Sequence, residues 1–181
     1  AAGRGMEEKR QDAASTVDAA SHRALVRVYL TNSLEPAMPE MQQKQIAEMS
    51  VALAHEAKAV NHVKRHKRFT VVIGNPPYSN FGMLNKNPFI LGLLEDYKRG
   101  LDDKKINLDD DFIKFVRFSE AQLSTAGVGI HGMITNNAYL DGLTHRRMRQ
   151  RVQQFFPVVK LANLHGSSKK KEKAPDGTPD E

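Results

Sequence analysis

The run FTVVI at residues 69–73 constrains this chain more than any other stretch. Basic residues precede it and Gly-Asn-Pro-Pro follows it. A short apolar run rich in β-branched residues between such punctuation reads as a strand buried on both faces, as in a parallel sheet. Parallel strands cannot be joined by tight turns, so helical crossovers are required on either side.

The flanking sequence has the matching periodicities. RVYLT, 27–31, has strand-like content and ends in the turn-prone pair Asn-Ser. After Pro39, Ile46, Met49, Leu53, Ala57 and Val60 recur at spacings of three and four, which predicts one amphipathic helix. Ile90, Leu93, Leu94 and Tyr97 mark another. NLDDDFIKFVRFSEAQLSTAG opens with acids that complement a helix N-terminus and ends at Gly127. GIHGMIT, 129–135, reads as a strand, THRRMRQRVQQFF as a helix capped by Thr144, and VVKLANL after Pro157 as a further strand. Strands alternating with helices predict an α/β domain with a largely parallel sheet. Residues 1–26 form a poorly defined lead, 27–166 the domain, and 167–181 a charged, Pro/Gly-rich loop or tail.

Composition excludes several classes. A chain of 181 residues holds one sizeable core. The absence of cysteine removes disulfides, thiolate nucleophiles and cysteine-based zinc sites. The seven histidines show no spacing with acids that closes a metal site, so no metal is expected. The acids at 109–111 are explained by helix capping. No apolar run approaches the roughly 20 residues of a membrane span, and no signal peptide opens the chain, so a cytoplasmic protein without membrane contact is expected. The net charge of +6 is compatible with nucleic acid, and its basic residues cluster at 64–68, 146–151 and 169–173.

In open α/β sheets, ligands bind beyond the carboxyl ends of strands, where Asn75, Pro76, Pro77 and Tyr78 fall. Each proline fixes its own φ and restricts the residue before it, giving a stiff segment without a hydrogen-bond ladder. Asn75 adds a side-chain carbonyl, and two convergent acceptors match an exocyclic amino group. Tyr78 adds a flat face, and stacking on a base is worth about 1–3 kcal/mol. These residues fit a receptacle for a flipped-out aminated base. They also fit a rigid strand-to-helix turn with a tyrosine capping the core.

An apolar strand followed by NPPY resembles the catalytic motif of the adenine-N6 amino-methyltransferases, which use S-adenosylmethionine. The resemblance implies that the Asn75 side chain and the Pro76 carbonyl accept from the adenine amino group. Pro77 would hold the loop, and Tyr78 would stack on the base. VYLTNSLE, VVIGNPPYS, KINLDDDFIKFVRF, ITNNAYLDGLTHRRMR and LHGSSKKKEKAPDGTPDE occur in that order. Together they resemble the methyltransferase region of the single-polypeptide restriction–modification enzymes called type ISP, over roughly residues 27–181. This implies a Rossmann-like methyltransferase fold, double-stranded DNA as partner, and the remainder of a larger restriction–modification polypeptide. It also nominates Asn32 for the cofactor's adenine, although Asn often simply starts a turn. The family's glycine-containing cofactor motif is not found upstream, so the chain is expected to be a partial catalytic domain truncated on its N-terminal side. The rivals are an RNA adenine or protein glutamine methyltransferase, and a catalytically incomplete DNA-binding fragment.

Arg146, Arg147 and Arg151 lie on the helix after the second strand-end loop, where they can track a DNA backbone or form a solvated basic face. Asn136, Asn137 and Asp141 either line the same cleft or cap the turn.

Overall fold

The computed structural model describes residues 26–77, 85–101, 108–164, 173 and 176–178. The chain divides into two units, Ala1–Leu30 and Thr31–Glu181. Of the first, residues 26–30 are described and carry no regular secondary structure.

The second unit holds six α-helices and two strands among its described residues: α1 Glu40–Met49, α2 Val51–His66, β1 Val71–Gly74, α3 Pro88–Lys98, α4 Asp111–Ala126, β2 Ile130–Met133, α5 Ala138–Asp141 and α6 Arg146–Phe155. A 3-10 turn, Leu143–His145, leads into α6. β1 and β2 pair in parallel, Val71 opposite Ile130 and Gly74 opposite Met133. This mixed arrangement is compatible with a methyltransferase fold.

Local chemistry sets the helix ends. The Asn87 side chain accepts from Phe89 N at 2.9 Å, capping α3 ahead of Pro88. Asp110 caps α4 in the same way, accepting from Phe112 N at 3.4 Å. Gly127 closes α4 at φ 77°, a left-handed conformation that glycine adopts without steric cost.

The stripe expected as one helix over 46–60 is broken. Ser50 is extended, at φ −160° and ψ 124°, so α1 stops and α2 restarts. Its amide donates to Ile46 O at 2.9 Å and its hydroxyl accepts from Leu53 N at 3.4 Å. Apolar spacing continues across the break, which is why periodicity alone misses it. Nor does Thr144 cap α6: it lies inside the 3-10 turn, and its hydroxyl sits 3.3 Å from His145 Nδ1.

The main core lies between α3, α4 and α6. Leu94 and Tyr97 from α3 meet Phe112, Ile113 and Val116 from α4 and Met148 from α6. Burying such side chains stabilises by about 1.5–3 kcal/mol each.

α4 packs on both strands. A methyl group at Gly129 would collide with the Leu123 side chain and lie 2.5 Å from the Thr70 carbonyl oxygen. Gly129→Ala is therefore expected to cost about 1–3 kcal/mol through forced backbone movement, read as a lowered urea midpoint.

Three strand expectations need correction. Residues 27–31 are not a strand, with Val28 and Leu30 88% and 92% exposed. The segment after Pro157 forms no strand either, with Val158, Leu161 and Leu164 exposed. An apolar run becomes a strand only where a neighbour takes its backbone hydrogen bonds in register, and neither run is part of a strand among the described residues. FTVVI does form β1, but its Val71 and Ile73 side chains are exposed rather than buried. They share a bare sheet face with Ile130, and the half-buried Val72, His131 and Met133 alternate with these exposed positions.

Candidate functional site

β1 and β2 run the same way, so their carboxyl ends form one edge. The Gly74 carbonyl accepts from Ile134 N at 3.0 Å, which fixes where the chain leaves the sheet. Asn75 and Pro77 are exposed there and Pro76 is buried. A rigid backbone thus presents one amide side chain beside a buried proline. Tyr78 lies outside the described residues. At the end of β2, Asn136 Oδ1 accepts from Ala138 N at 3.1 Å, so this side chain forms the turn into α5.

Asn32 sits at a polar cleft of about 460 Å³, with Glu35, Asn85, Asp111 and Phe115 among its walls. Its side-chain oxygen accepts from Leu34 N at 3.1 Å and from Asn85 Nδ2 at 3.2 Å. Its side-chain nitrogen donates to Glu35 Oε1 at 2.8 Å, and its carbonyl accepts from Lys64 Nζ at 2.7 Å. Asn32 therefore starts a turn and lines a cleft together. Burial holds the Lys64 ammonium below its usual range, with Glu35 opposing the shift. Asp111 accepts from Asn85 N at 3.3 Å and from the Lys114 ammonium at 2.7 Å.

Sequence reasoning did not single out Asn85, Asp111 or Phe115 as cleft residues. The amides around Pro88 were the available signal for Asn85. Asp111 was hidden because acids opening a helix already have a structural explanation. Asn75, Pro76 and Pro77 are not among the walls of this cleft.

The α6 arginines divide. Arg146 is exposed and donates to Leu143 O at 3.0 Å. Arg147 donates to Gln150 Oε1 at 2.8 Å. Arg149 clamps the loop below, donating to the carbonyls of Tyr139 and Gly142 at 2.8 and 2.7 Å. Arg151 turns inward, 3.6 Å from Glu120 and 3.9 Å from Asp96.

A second, largely apolar cavity of about 510 Å³ separates β2 from residues 156–161. His131 lines it, edge-on to Phe156 at 5.6 Å, with a buried Nδ1 that makes no hydrogen bond. Burial disfavours the imidazolium and lowers its pKa. Its contribution to stability is complete above the ordinary histidine value of about 6.5 and is lost as pH falls through the lower native value. His145 is shifted the same way, by burial and then by Arg149. His131→Gln is expected to flatten, in part, the fall of the urea midpoint below about pH 6.5.

A two-stranded parallel sheet with helices packed on it, and Asn-Pro-Pro leaving its carboxyl edge, is compatible with a methylase fold. A family model described as Eco57I restriction-modification methylase matches residues 15–169, and the chain belongs to that family. No curated protein and no solved structure matches the chain. Among the described residues no helix is long and apolar enough to cross a membrane, and no group of three histidines or acids is placed to hold a metal.

Proposed function

We propose that this chain carries the target-base site of an adenine-N6 DNA methyltransferase, using S-adenosylmethionine within a larger restriction–modification polypeptide of type ISP. The observation that carries the reading is Asn75, exposed ahead of two prolines at the carboxyl end of a parallel strand.

The Asn75 side-chain oxygen and the Pro76 carbonyl accept the two hydrogens of the adenine amino group, aiming the nitrogen lone pair away from them. As that nitrogen forms its new bond to carbon, positive charge grows on it, and the same acceptors stabilise it. One amino proton then leaves to solvent. Pro77 keeps the acceptors convergent, and Tyr78 stacks on the extruded base. S-adenosylmethionine supplies the methyl group and a neutral thioether leaving group. The polar cleft at Asn32 fits a nucleoside: Glu35 and Asp111 offer acceptors for amino and hydroxyl groups, Asn85 an amide, and Phe115 an aromatic side chain. Arg146 and Arg147 are the proposed phosphate contacts on duplex DNA.

The test is methyl transfer from tritiated S-adenosylmethionine to duplex DNA by the complete polypeptide that carries this chain, followed by digestion to nucleosides. Label in N6-methyladenine is expected. Label in N4-methylcytosine, or transfer to RNA in place of duplex DNA, would overturn the reading.

A further inference from the structure

Four charged groups and a tyrosine from three helices meet inside the second unit. Arg117 Nη2 donates to Asp96 Oδ2 at 2.6 Å, and its Nε donates to the Leu93 carbonyl at 3.0 Å. Its Nη1 lies 3.4 Å from Glu120 Oε2. The Tyr97 hydroxyl donates to Glu120 Oε1 at 2.6 Å. Arg151 closes the circuit, its Nε 3.6 Å from Glu120 Oε2 and its Nη2 3.9 Å from Asp96 Oδ2. Charges therefore alternate around a ring of Asp96, Arg117, Glu120 and Arg151.

Glu120 and Tyr97 are fully buried, and the Arg117 side chain is 8% exposed. A buried carboxylate is tolerated only with close countercharge. Glu120 Oε2 sits between two cations, Arg117 Nη1 at 3.4 Å within α4 and Arg151 Nε at 3.6 Å from α6, and Arg151 is the one that reaches it from another helix. That oxygen and Arg151 Nε are both buried, make no hydrogen bond, and face each other. The ring thus ties α6 to α3 and α4 through a single side chain. Met148 fixes the same inward face of α6 by burial.

We propose that Arg151 is a positioning residue rather than a DNA contact: it pins α6 against α3 and α4 so that Arg146 and Arg147 are held in a fixed orientation. The inference rests on the DNA reading above. It assigns Arg151 a role that its spacing from Arg147 on the helix does not indicate. Its side chain keeps 41% exposure, so direct phosphate contact is the rival that the experiment must separate.

Duplex binding by this chain is measured by fluorescence anisotropy across a salt series. Arg146→Ala is expected to reduce the slope of log affinity against log salt by about 0.9, one phosphate neutralised. Arg151→Met is expected to weaken binding about tenfold at unchanged slope, since the ordering of α6 costs the same at every salt concentration. Arg151→Lys should recover part of the loss. A slope reduced by about 0.9 in Arg151→Met overturns the proposal.

Hydrogen exchange of the α6 amides provides a readout that needs no DNA. Arg151→Met and Glu120→Gln should each accelerate it about tenfold, and the double variant no further, because both break one ring. Unchanged exchange in either single variant also overturns the proposal. If the unsubstituted chain binds no duplex DNA, the DNA reading fails and takes the purpose of the pin with it. The exchange data then report separately whether the pin exists.

Discussion

Asn75→Ala in the complete polypeptide is expected to lower the rate of DNA methylation by a factor of about 10²–10³, leaving the circular dichroism spectrum that of a folded protein. In the proposed mechanism the rate effect follows from the number of acceptors: with the side-chain oxygen gone, the Pro76 carbonyl alone would face the charge developing on the amino nitrogen. The intact fold follows from location. Asn75 is exposed and lies past the last paired residue of β1, and the hydrogen bond that fixes the exit from the sheet uses the Gly74 carbonyl. Asn75→Asp, which keeps an acceptor, should retain more activity than alanine. Methylation by the alanine variant at the unmodified rate would show that this side chain plays no part in the reaction. Single-turnover kinetics should place the loss in the chemical step, with the affinity for duplex DNA little changed.

The largest effect on stability is expected from Phe112→Ala, a loss of about 3–5 kcal/mol. Phe112 is 1% exposed and joins the core shared by α3, α4 and α6, with the Tyr139 ring 6.0 Å away. Domains of this size hold about 5–15 kcal/mol in all, so the variant should lose a large fraction of its folded population. Urea unfolding followed by circular dichroism measures the change. A loss below about 1 kcal/mol would mean that the three helices close up over the vacated space.

What the sequence revealed and what it hid have separable physical causes. The α3 and α4 stripes were legible because period and caps agree: Ile90, Leu94 and Tyr97 are buried, as are Phe112, Val116 and Leu123, and Asp110 and Gly127 bound α4. The end of β1 at Gly74 was legible because the two prolines that follow cannot donate to a sheet's hydrogen bonds. The fate of RVYLT and VVKLANL was not, since strand propensity belongs to a residue while pairing belongs to a neighbour. Arg151 was read by its spacing from Arg147, which says that the two share a stripe but not what that stripe faces. Its real neighbours come from α3 and α4, which local spacing does not encode.

The parallel register of β1 and β2 also bears on the order of assembly. Paired residues such as Val71 and Ile130 lie about sixty positions apart along the chain. α3 and α4 follow one another and form by local contacts. The two strands must instead close a long loop before their first hydrogen bond is made. Asn75 and Pro76, the acceptors proposed above, are therefore expected to be among the last parts of the second unit to reach their places during folding. They are also among the first to lose them when the sheet opens.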